Sequence, residues 1–301
     1  MKEEINLFEK YTSETKVETL KSKENFSKTF QRVFVSSLTA KIGLILSLFF
    51  LLVTIIIVIF FTIDPLLKSD DINQLSSNQY ILGTDQFGRD IWSRLWYSFL
   101  ITFCLAIVIS FVNMVIASLV SFSINYWKKF SNFFVFLIKM LQALPSLLIL
   151  TIFTLLFEES YLIIFISFIL TGWSIMSVRI DQEIKKLDEQ EYLWKTQTLR
   201  GKNVSGLISL FGVMFPFLIY EFFKSIPLII IFEATIGVMG LNNENVLTIG
   251  GTLSEALWSN PINKDAIWVT TSMLVIFLVF LELFIFGINK EEFYLEKGEL
   301  K

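Results

Sequence analysis

Residues 179–206 read RIDQEIKKLDEQEYLWKTQTLRGKNVSG and form a polar segment between two long apolar runs. Eleven of these 28 residues are Asp, Glu, Lys or Arg. A charged side chain at the centre of a bilayer costs at least about 2.5 kcal/mol, which excludes this segment from hydrocarbon. We therefore expect it to lie in water between two membrane-spanning helices.

The spacing of apolar residues predicts one helix that enters this segment and a second helix that begins within it. Apolar residues recur at helical spacing around its start: Met176, Ile180, Ile184 and Leu187. This spacing predicts an amphipathic helix that continues beyond the membrane surface. A second short helix is predicted to begin at residues 192–194 and to end or bend at Gly201 and Gly206. We interpret the two pieces as a rigid contact surface for another protein, the alternative being an ordinary solvated loop.

The composition is typical of a protein that crosses the membrane several times. The chain has 301 residues, 54% of them hydrophobic, and its mean hydropathy is +0.64. Its net charge is -3 and its basic residues form no stripe, so we expect no nucleic-acid partner. The single Cys104 excludes a disulfide framework. Because histidine is absent, imidazole metal ligands and His-assisted nucleophiles are excluded, and we expect no catalytic residue and no metal site.

The apolar runs predict six transmembrane helices. The first run, residues 42–63, is uncharged and would extend about 33 Å as a helix, enough to span a bilayer. The six predicted spans are residues 42–63, 95–127, 131–157, 161–178, 207–231 and 266–288. The chain thus divides into an N-terminal segment (1–40), a membrane domain (41–288) with loops at 64–94 and 232–265, and a C-terminal tail (289–301).

The distribution of cations predicts the orientation. If the N-terminus is cytosolic, 19 of the 25 Lys and Arg residues lie in inside segments, and only Lys68, Arg89, Arg94 and Lys264 lie outside. Short loops rich in Lys and Arg stay on the cytosolic side. We therefore expect both termini and residues 179–206 to be cytosolic.

The first outside loop contains two glycines at the spacing of a phosphate-binding loop. Arg89 and Asp90, however, stand where that loop requires Lys and Ser or Thr, so we reject nucleotide binding there. The structural interpretation is that Thr84 or Asp85 caps a short helix, while Arg89, Asp90 and Arg94 pair with one another or with lipid headgroups. The candidate residues of this loop are Gly83, Thr84, Asp85, Gly88, Arg89, Asp90, Ser93 and Arg94.

Residues 82–95, LGTDQFGRDIWSRL, resemble the LGTDxxGRDxxSRL signature of the C-type permease subunits of oligopeptide, dipeptide and nickel ABC importers. Weaker matches follow in the family's order, at 143–148 (ALPSLL), 171–173 (TGW), Arg179, 191–193 (EYL), 233–234 (EA), 239–241 (MGL) and Gly287. Together they cover most of residues 40–287.

The resemblance implies an all-α, type I importer-like permease in the cell membrane that forms half of a translocation path. Its implied partners are a homologous second permease, two cytosolic ATPases that bind ATP and Mg, and an extracytoplasmic peptide-binding protein. The chain itself would bind no cofactor. The lack of histidine favours peptide over nickel as cargo. A self-contained channel or ion-coupled carrier is the alternative from another class, but it would need inverted repeats or a buried ionisable relay.

The resemblance also implies that residues 179–206 contain the helix that contacts the ATPases. The residues assigned to this contact are Glu191, Tyr192, Leu193, Trp194, Lys195, Thr196, Leu199, Arg200, Gly201 and Lys202. The sequence departs from the family at three of them, with Lys195 and Thr196 in place of Ala and Arg200 in place of Gly. Aromatic anchors such as Tyr192 and Trp194 suit a contact that must transmit force.

Charged residues and prolines within the spans are candidates for the path or gate: Pro145, Pro216, Glu221, Lys224 and Glu233. Glu221 and Lys224 are three residues apart, so we expect them to neutralise each other, the alternative being contact with the termini of a peptide. The prolines are either hinges or static kinks.

The predicted orientation has a direct test. Lys185, Lys186 and Lys202 should react with a membrane-impermeant amine reagent only after cells are permeabilised, because all three are expected in the cytosol. Lys68, expected outside, should react in intact cells. Labelling of the three cytosolic lysines from the exterior alone would contradict this topology.

Overall fold

A computed structural model describes residues 37–126, 128–157, 160–189, 204–241, 243, 246–259 and 264–288. Their regular structure is helical, apart from one isolated β-bridge between Thr84 and Asp90. The helices are α1 Leu38–Phe60, α2 Ile91–Tyr126, α3 Lys128–Gln142, α4 Ser146–Phe157, α5 Tyr161–Glu189, α6 Val204–Val238, α7 Ile249–Ser254 and α8 Lys264–Phe286. A π-helical turn, Glu255–Ser259, follows α7.

Five of these helices, α1, α2, α5, α6 and α8, are long and apolar enough to cross a membrane. Helices α3 and α4 also qualify as one span when taken together, but they meet at an angle of 76°. The predicted class, an all-α protein with several membrane spans, is therefore confirmed.

The third and fifth predicted spans differ from the observed helices. The expected helix 131–157 is broken before Pro145, whose carbonyl accepts hydrogen bonds from the backbone N–H groups of Leu148 and Ile149 and so begins α4. The fifth span runs to Val238, seven residues beyond its expected end, and passes through Pro216 and Pro227. Proline is tolerated there because neighbouring helices support the backbone of a membrane helix.

The loop expected at 232–265 is more ordered than its polar sequence indicated. It contains the last turns of α6, the buried helix α7 and the π-helical turn. Thr248 caps α7 by accepting a hydrogen bond from the N–H of Gly251 at 3.1 Å. The short helix therefore packs into the protein instead of forming an open loop.

Helix α2 is the centre of the bundle and packs against α1, α3, α5, α6 and α7. Polar side chains on α2 tie it to its neighbours: Ser110 donates to the carbonyl of Phe222 at 2.6 Å, and Ser121 to that of Ser177 at 2.9 Å. Hydrogen bonds of this kind join helices in lipid, where apolar side chains gain little from leaving the solvent.

The first and last spans approach each other through small residues. A Cβ on Gly43 of α1 would overlap with the backbone of Phe284, and one on Gly287 would overlap with the backbone of Ala40. The hydroxyl of Ser37 donates to the carbonyl of Gly287. Small residues allow such close backbone contact between membrane helices.

Residues far apart in sequence meet at two ends of the bundle. At one end, which we call the signature end, the Tyr161 hydroxyl at the start of α5 accepts from the N–H of Leu247 at 2.9 Å, just before α7. At the opposite end, Asn125 near the end of α2 donates to Asp181 of α5 at 2.9 Å. The contact of Ser37 with Gly287 brings the beginning of α1 to the last turn of α8.

Enlarging the glycine between α1 and α8 should destabilise the protein. Gly43→Leu is expected to cost about 1 to 3 kcal/mol, because the added side chain has to push two backbones apart. The measurement is the midpoint of thermal unfolding in detergent. Ile45→Phe, an enlargement on the exposed face of α1, is the matched control and should leave the midpoint nearly unchanged. Equal midpoints for the two variants would contradict the close packing.

Candidate functional site

The signature loop, residues 82–95, is a closed turn that leads into α2. The backbone N–H of Asp85 donates to the carbonyl of Arg89 at 3.0 Å, and that of Ile91 donates to the carbonyl of Gly83 at 3.1 Å. These bonds bring the two sides of the turn together, with Thr84 and Asp90 paired across it. The turn presents its charged side chains to the interior of the protein.

The two glycines of the signature meet a conformational requirement. Gly83 and Gly88 have φ values of +75° and +73°, in the region that L side chains rarely adopt. A Cβ on Gly88 would also overlap with the carbonyl of Ser69, whose own N–H donates to the Gly88 carbonyl at 3.0 Å. Both the backbone conformation and the lack of room for a Cβ therefore require glycine at position 88.

The helix cap lies at a different residue from the one expected. Asp90 caps α2, since its carboxylate accepts a hydrogen bond from the N–H of Ser93 at 3.0 Å. Thr84 and Asp85 cap no helix and instead stabilise the loop. The Thr84 hydroxyl accepts from the N–H of Gln74 at 2.9 Å, and Asp85 accepts from the N–H groups of Phe87 and Arg89 at 2.8 and 2.9 Å.

Four buried charged side chains form an ion cluster at the signature end: Asp85, Arg89, Arg94 and Glu255. Arg89 Nε is 2.7 Å from Asp85 Oδ2, and its Nη2 is 3.0 Å from Glu255 Oε1. Arg94 Nη2 is 2.7 Å from Glu255 Oε1, and its Nε is 2.9 Å from Glu255 Oε2. The arginines thus pair with carboxylates of the protein, which corrects the expectation that they pair with Asp90 or with lipid headgroups.

The ion cluster is neutral, with two guanidinium groups facing two carboxylates. Both arginine side chains are at most 2% exposed, and that of Glu255 is 9% exposed. Burial raises the pKa of Glu255, and the charges of Arg94 and Arg89 oppose that rise. The two guanidinium groups therefore lower the cost of burying the Glu255 carboxylate.

Glu255 was missed by the sequence analysis because it lies in the second loop, 161 residues from Arg94. The structure shows why a further acidic residue is needed here. With Asp90 engaged as the helix cap, the signature loop has two buried arginines but only Asp85 to neutralise them. A further acidic residue was therefore required, and the sequence did not indicate which one.

Glu233, a candidate for the path or gate, contacts the helix that precedes Glu255. Both of its carboxylate oxygens lie 3.1 Å from the backbone nitrogen of Gly250 in α7, and the side chain is buried. A Cβ on Gly237 would overlap with the backbone of Gly250, so α6 and α7 are in close contact. Glu233 thus fixes α7 against α6.

The expected pairing of Glu221 with Lys224 is replaced by a pairing between helices. Arg179 Nη1 of α5 lies 2.6 Å from Glu221 Oε2 of α6. Lys224 instead has its Nζ 5.6 Å from the centre of the Tyr220 ring, within range of a cation–π interaction. The spacing of three residues between Glu221 and Lys224 did not determine the partner of Glu221, because α5 places the guanidinium group of Arg179 next to its carboxylate.

Two other charges within the predicted spans are exposed in the single chain. Lys139 on α3 and Glu282 on α8 both have exposed side chains. The packing of this chain does not bury them.

The chain has relatives among characterised transport proteins, although no family model matches it. It is 26% identical over 237 residues to the oligopeptide transport system permease protein OppC of Bacillus subtilis, covering 73% of each chain. It is 24% identical over 190 residues to the dipeptide transport system permease protein DppC of Lactococcus lactis, covering 58% of this chain and 52% of the relative. The chain is related to peptide ABC transporter permeases.

A shorter match is to the DppC protein of Bacillus subtilis, with 23% identity over 128 residues. The residues of this chain that were assigned to ATPase contact, 191–202, lie outside the part that the structure describes. Among the residues that the structure does describe, no group of three or more Cys, Asp and Glu side chains is arranged to hold a metal ion.

The candidate path residues are not gathered at one point, since Glu233 contacts α7 and Glu221 contacts α5.

Removing the carboxylate of Glu255 should strongly destabilise the protein. In Glu255→Gln two buried guanidinium groups share one carboxylate, and breaking a buried ion pair in this way costs about 3 to 5 kcal/mol. The measurement is again the thermal midpoint in detergent. The double variant Glu255→Gln/Arg94→Gln should recover part of the loss, because Arg89 and Asp85 then form a neutral pair.

Glu282→Gln is the matched control for this experiment, because it makes the same chemical change at an exposed site. Its thermal midpoint should stay close to that of the unmodified protein. If Glu255→Gln lowered the thermal midpoint no more than Glu282→Gln does, the ion cluster would not be needed for stability.

Proposed function

We propose that the chain is a permease subunit of an ABC importer and forms half of the transmembrane path for peptides. The observation that carries this proposal is the similarity to the oligopeptide permease OppC over 73% of both chains. The signature loop adds to it, because every named signature residue has a defined structural task in the turn or the ion cluster. The chain itself would hydrolyse no ATP, and ATP and Mg would bind to partner subunits.

A six-crossing arrangement is part of the proposal. Helix α2 ends at the opposite end of the bundle, where Asn125 meets Asp181, and α5 begins at the signature end, where Tyr161 meets Leu247. The chain between them, α3 and α4, has to travel from one end to the other. We therefore count the bent pair as one crossing, broken at Pro145.

The distribution of charge gives the orientation of these crossings in the cell membrane. Six crossings bring residues 1–36, residues 190–203 and the C-terminal tail to the same side, and these segments are rich in Lys and Arg. That side is the cytosol in our proposal. The signature end then faces outward, toward an extracytoplasmic peptide-binding protein.

The partners follow from this orientation. Two cytosolic ATPases would dock on residues 191–202 of this chain and on the corresponding segment of a homologous second permease. Opening and closing of the ATPases would then shift the permease pair between inward-closed and outward-closed states. We expect the binding protein, more than the path, to select the cargo.

Peptides are the cargo that the comparisons favour over nickel. The relatives described above are named for oligopeptide or dipeptide transport. The chain contains no histidine, the residue that most often binds nickel-like metals in proteins. The length and chemistry of the peptide are left open.

The proposal is tested by co-purification of ATPases with the chain, together with ATP-dependent peptide uptake. Tyr192→Asp and Trp194→Asp should abolish both, because a charge in place of a buried aromatic anchor removes the contact. Asn78→Asp adds a charge at an exposed site of the 64–94 loop and should change neither. Full ATPase association and uptake in the Tyr192 and Trp194 variants would refute the assignment of the contact.

A further inference from the structure

The ion pair between Arg179 and Glu221 joins the two helices on either side of residues 190–203. Arg179 Nη1 and Glu221 Oε2 are 2.6 Å apart. The Glu221 side chain is 2% exposed, and that of Arg179 is 28% exposed. Burying a carboxylate this deeply is costly without a partner at close range, so the position of Glu221 depends on the position of α5.

Both helices pack extensively against α2. Helix α5 is tied to α2 by Ser121, which donates to the carbonyl of Ser177 at 2.9 Å, and by the bond from Asn125 to Asp181. Helix α6 is tied to α2 by Ser110. The packing of α5 and α6 on each other is less extensive than the packing of either on α2. The ion pair therefore adds a directional contact between two helices that otherwise pack on each other only sparsely.

We propose that Arg179 and Glu221 are positioning residues that hold α5 and α6 together, so that a displacement of residues 190–203 moves both helices as one unit. This inference rests on the proposed function, in which ATPases act on that segment. Loss of the ion pair lets one helix follow the ATPases while the other stays against α2. ATP hydrolysis then continues with less transport per cycle.

The surroundings of the pair favour a mechanical role over a purely local one. The helix faces beside it are packed with buried apolar residues: Met176, Ile180, Ile184, Met214, Phe217 and Leu218. Apolar packing is non-directional and allows two helices to slide. A short charge-assisted hydrogen bond fixes their relative position.

The experiment uses the full transporter, with both permeases, both ATPases and the binding protein, reconstituted in lipid vesicles. Peptide uptake and ATP hydrolysis are measured at equal amounts of assembled complex. In Arg179→Gln and in Glu221→Gln, the ratio of peptide taken up to ATP hydrolysed should fall by at least about fivefold, the lower range of a typical coupling energy. The swapped variant Arg179→Glu/Glu221→Arg should recover most of the ratio.

Matched controls make the same chemical changes at exposed sites. Lys139→Gln on α3 and Glu282→Gln on α8 should keep the ratio of the unmodified transporter. A purely structural role for the pair would lower uptake and hydrolysis in proportion, with a lower thermal midpoint and an unchanged ratio.

The outcomes separate this inference from the function on which it rests. An unchanged ratio in both single variants would overturn the positioning role while leaving the importer assignment intact. Failure of the unmodified chain to bind ATPases or to support uptake would overturn both. A reduced ratio in the single variants that recovers in the swapped variant would support the positioning role.

Discussion

The buried arginines of the signature loop impose the constraint on which one end of the bundle depends. Burying two guanidinium groups away from water is costly unless carboxylates lie at close range. Asp85 supplies one from the same loop, and Glu255 supplies the other from beyond α6. Because Glu255 directly follows α7, this requirement draws α7 over the beginning of α2, where Thr102 accepts a hydrogen bond from the N–H of Ile249 at 2.9 Å.

Along the apolar helices, too, buried polar groups find partners on neighbouring helices. Hydroxyl groups and small residues replace ions there, because a neutral hydrogen bond or a close backbone contact joins helices at a much lower desolvation cost than a charge does. Ser110 and Ser121 tie α2 to α6 and α5, while Gly43 and Gly287 let α1 and α8 touch. Helix α2 is therefore held by polar contacts along its length, and many large apolar side chains are left exposed on the outside of the described bundle.

The sequence predicted those features that depend on local physics and missed those that depend on tertiary partners. Runs of apolar residues predicted the membrane helices, since spanning a bilayer requires about 20 such residues whatever surrounds them. The sequence contains Pro145 but does not predict the 76° bend there. A proline alone does not predict a break, since Pro216 and Pro227 both lie within the continuous helix α6. The pairing of Glu221 with Lys224 failed for a related reason: spacing along one helix cannot show which neighbouring helix carries a stronger partner.

The two ends of the bundle differ in how they resist displacement. At the signature end, α2, α6 and α7 are linked through the ion cluster and through Glu233, so a shift of any one helix would break several buried contacts together. At the opposite end, Arg179 and Glu221 link α5 and α6, and Pro216 lies between that pair and the start of α6. Proline removes one backbone hydrogen bond, so α6 bends at Pro216 at a lower cost than at the non-proline residues around it. In the proposed function, a force applied at residues 190–203 would either bend α6 at Pro216 or be carried past it through α5 and the ion pair, and the strength of that pair would decide between the two.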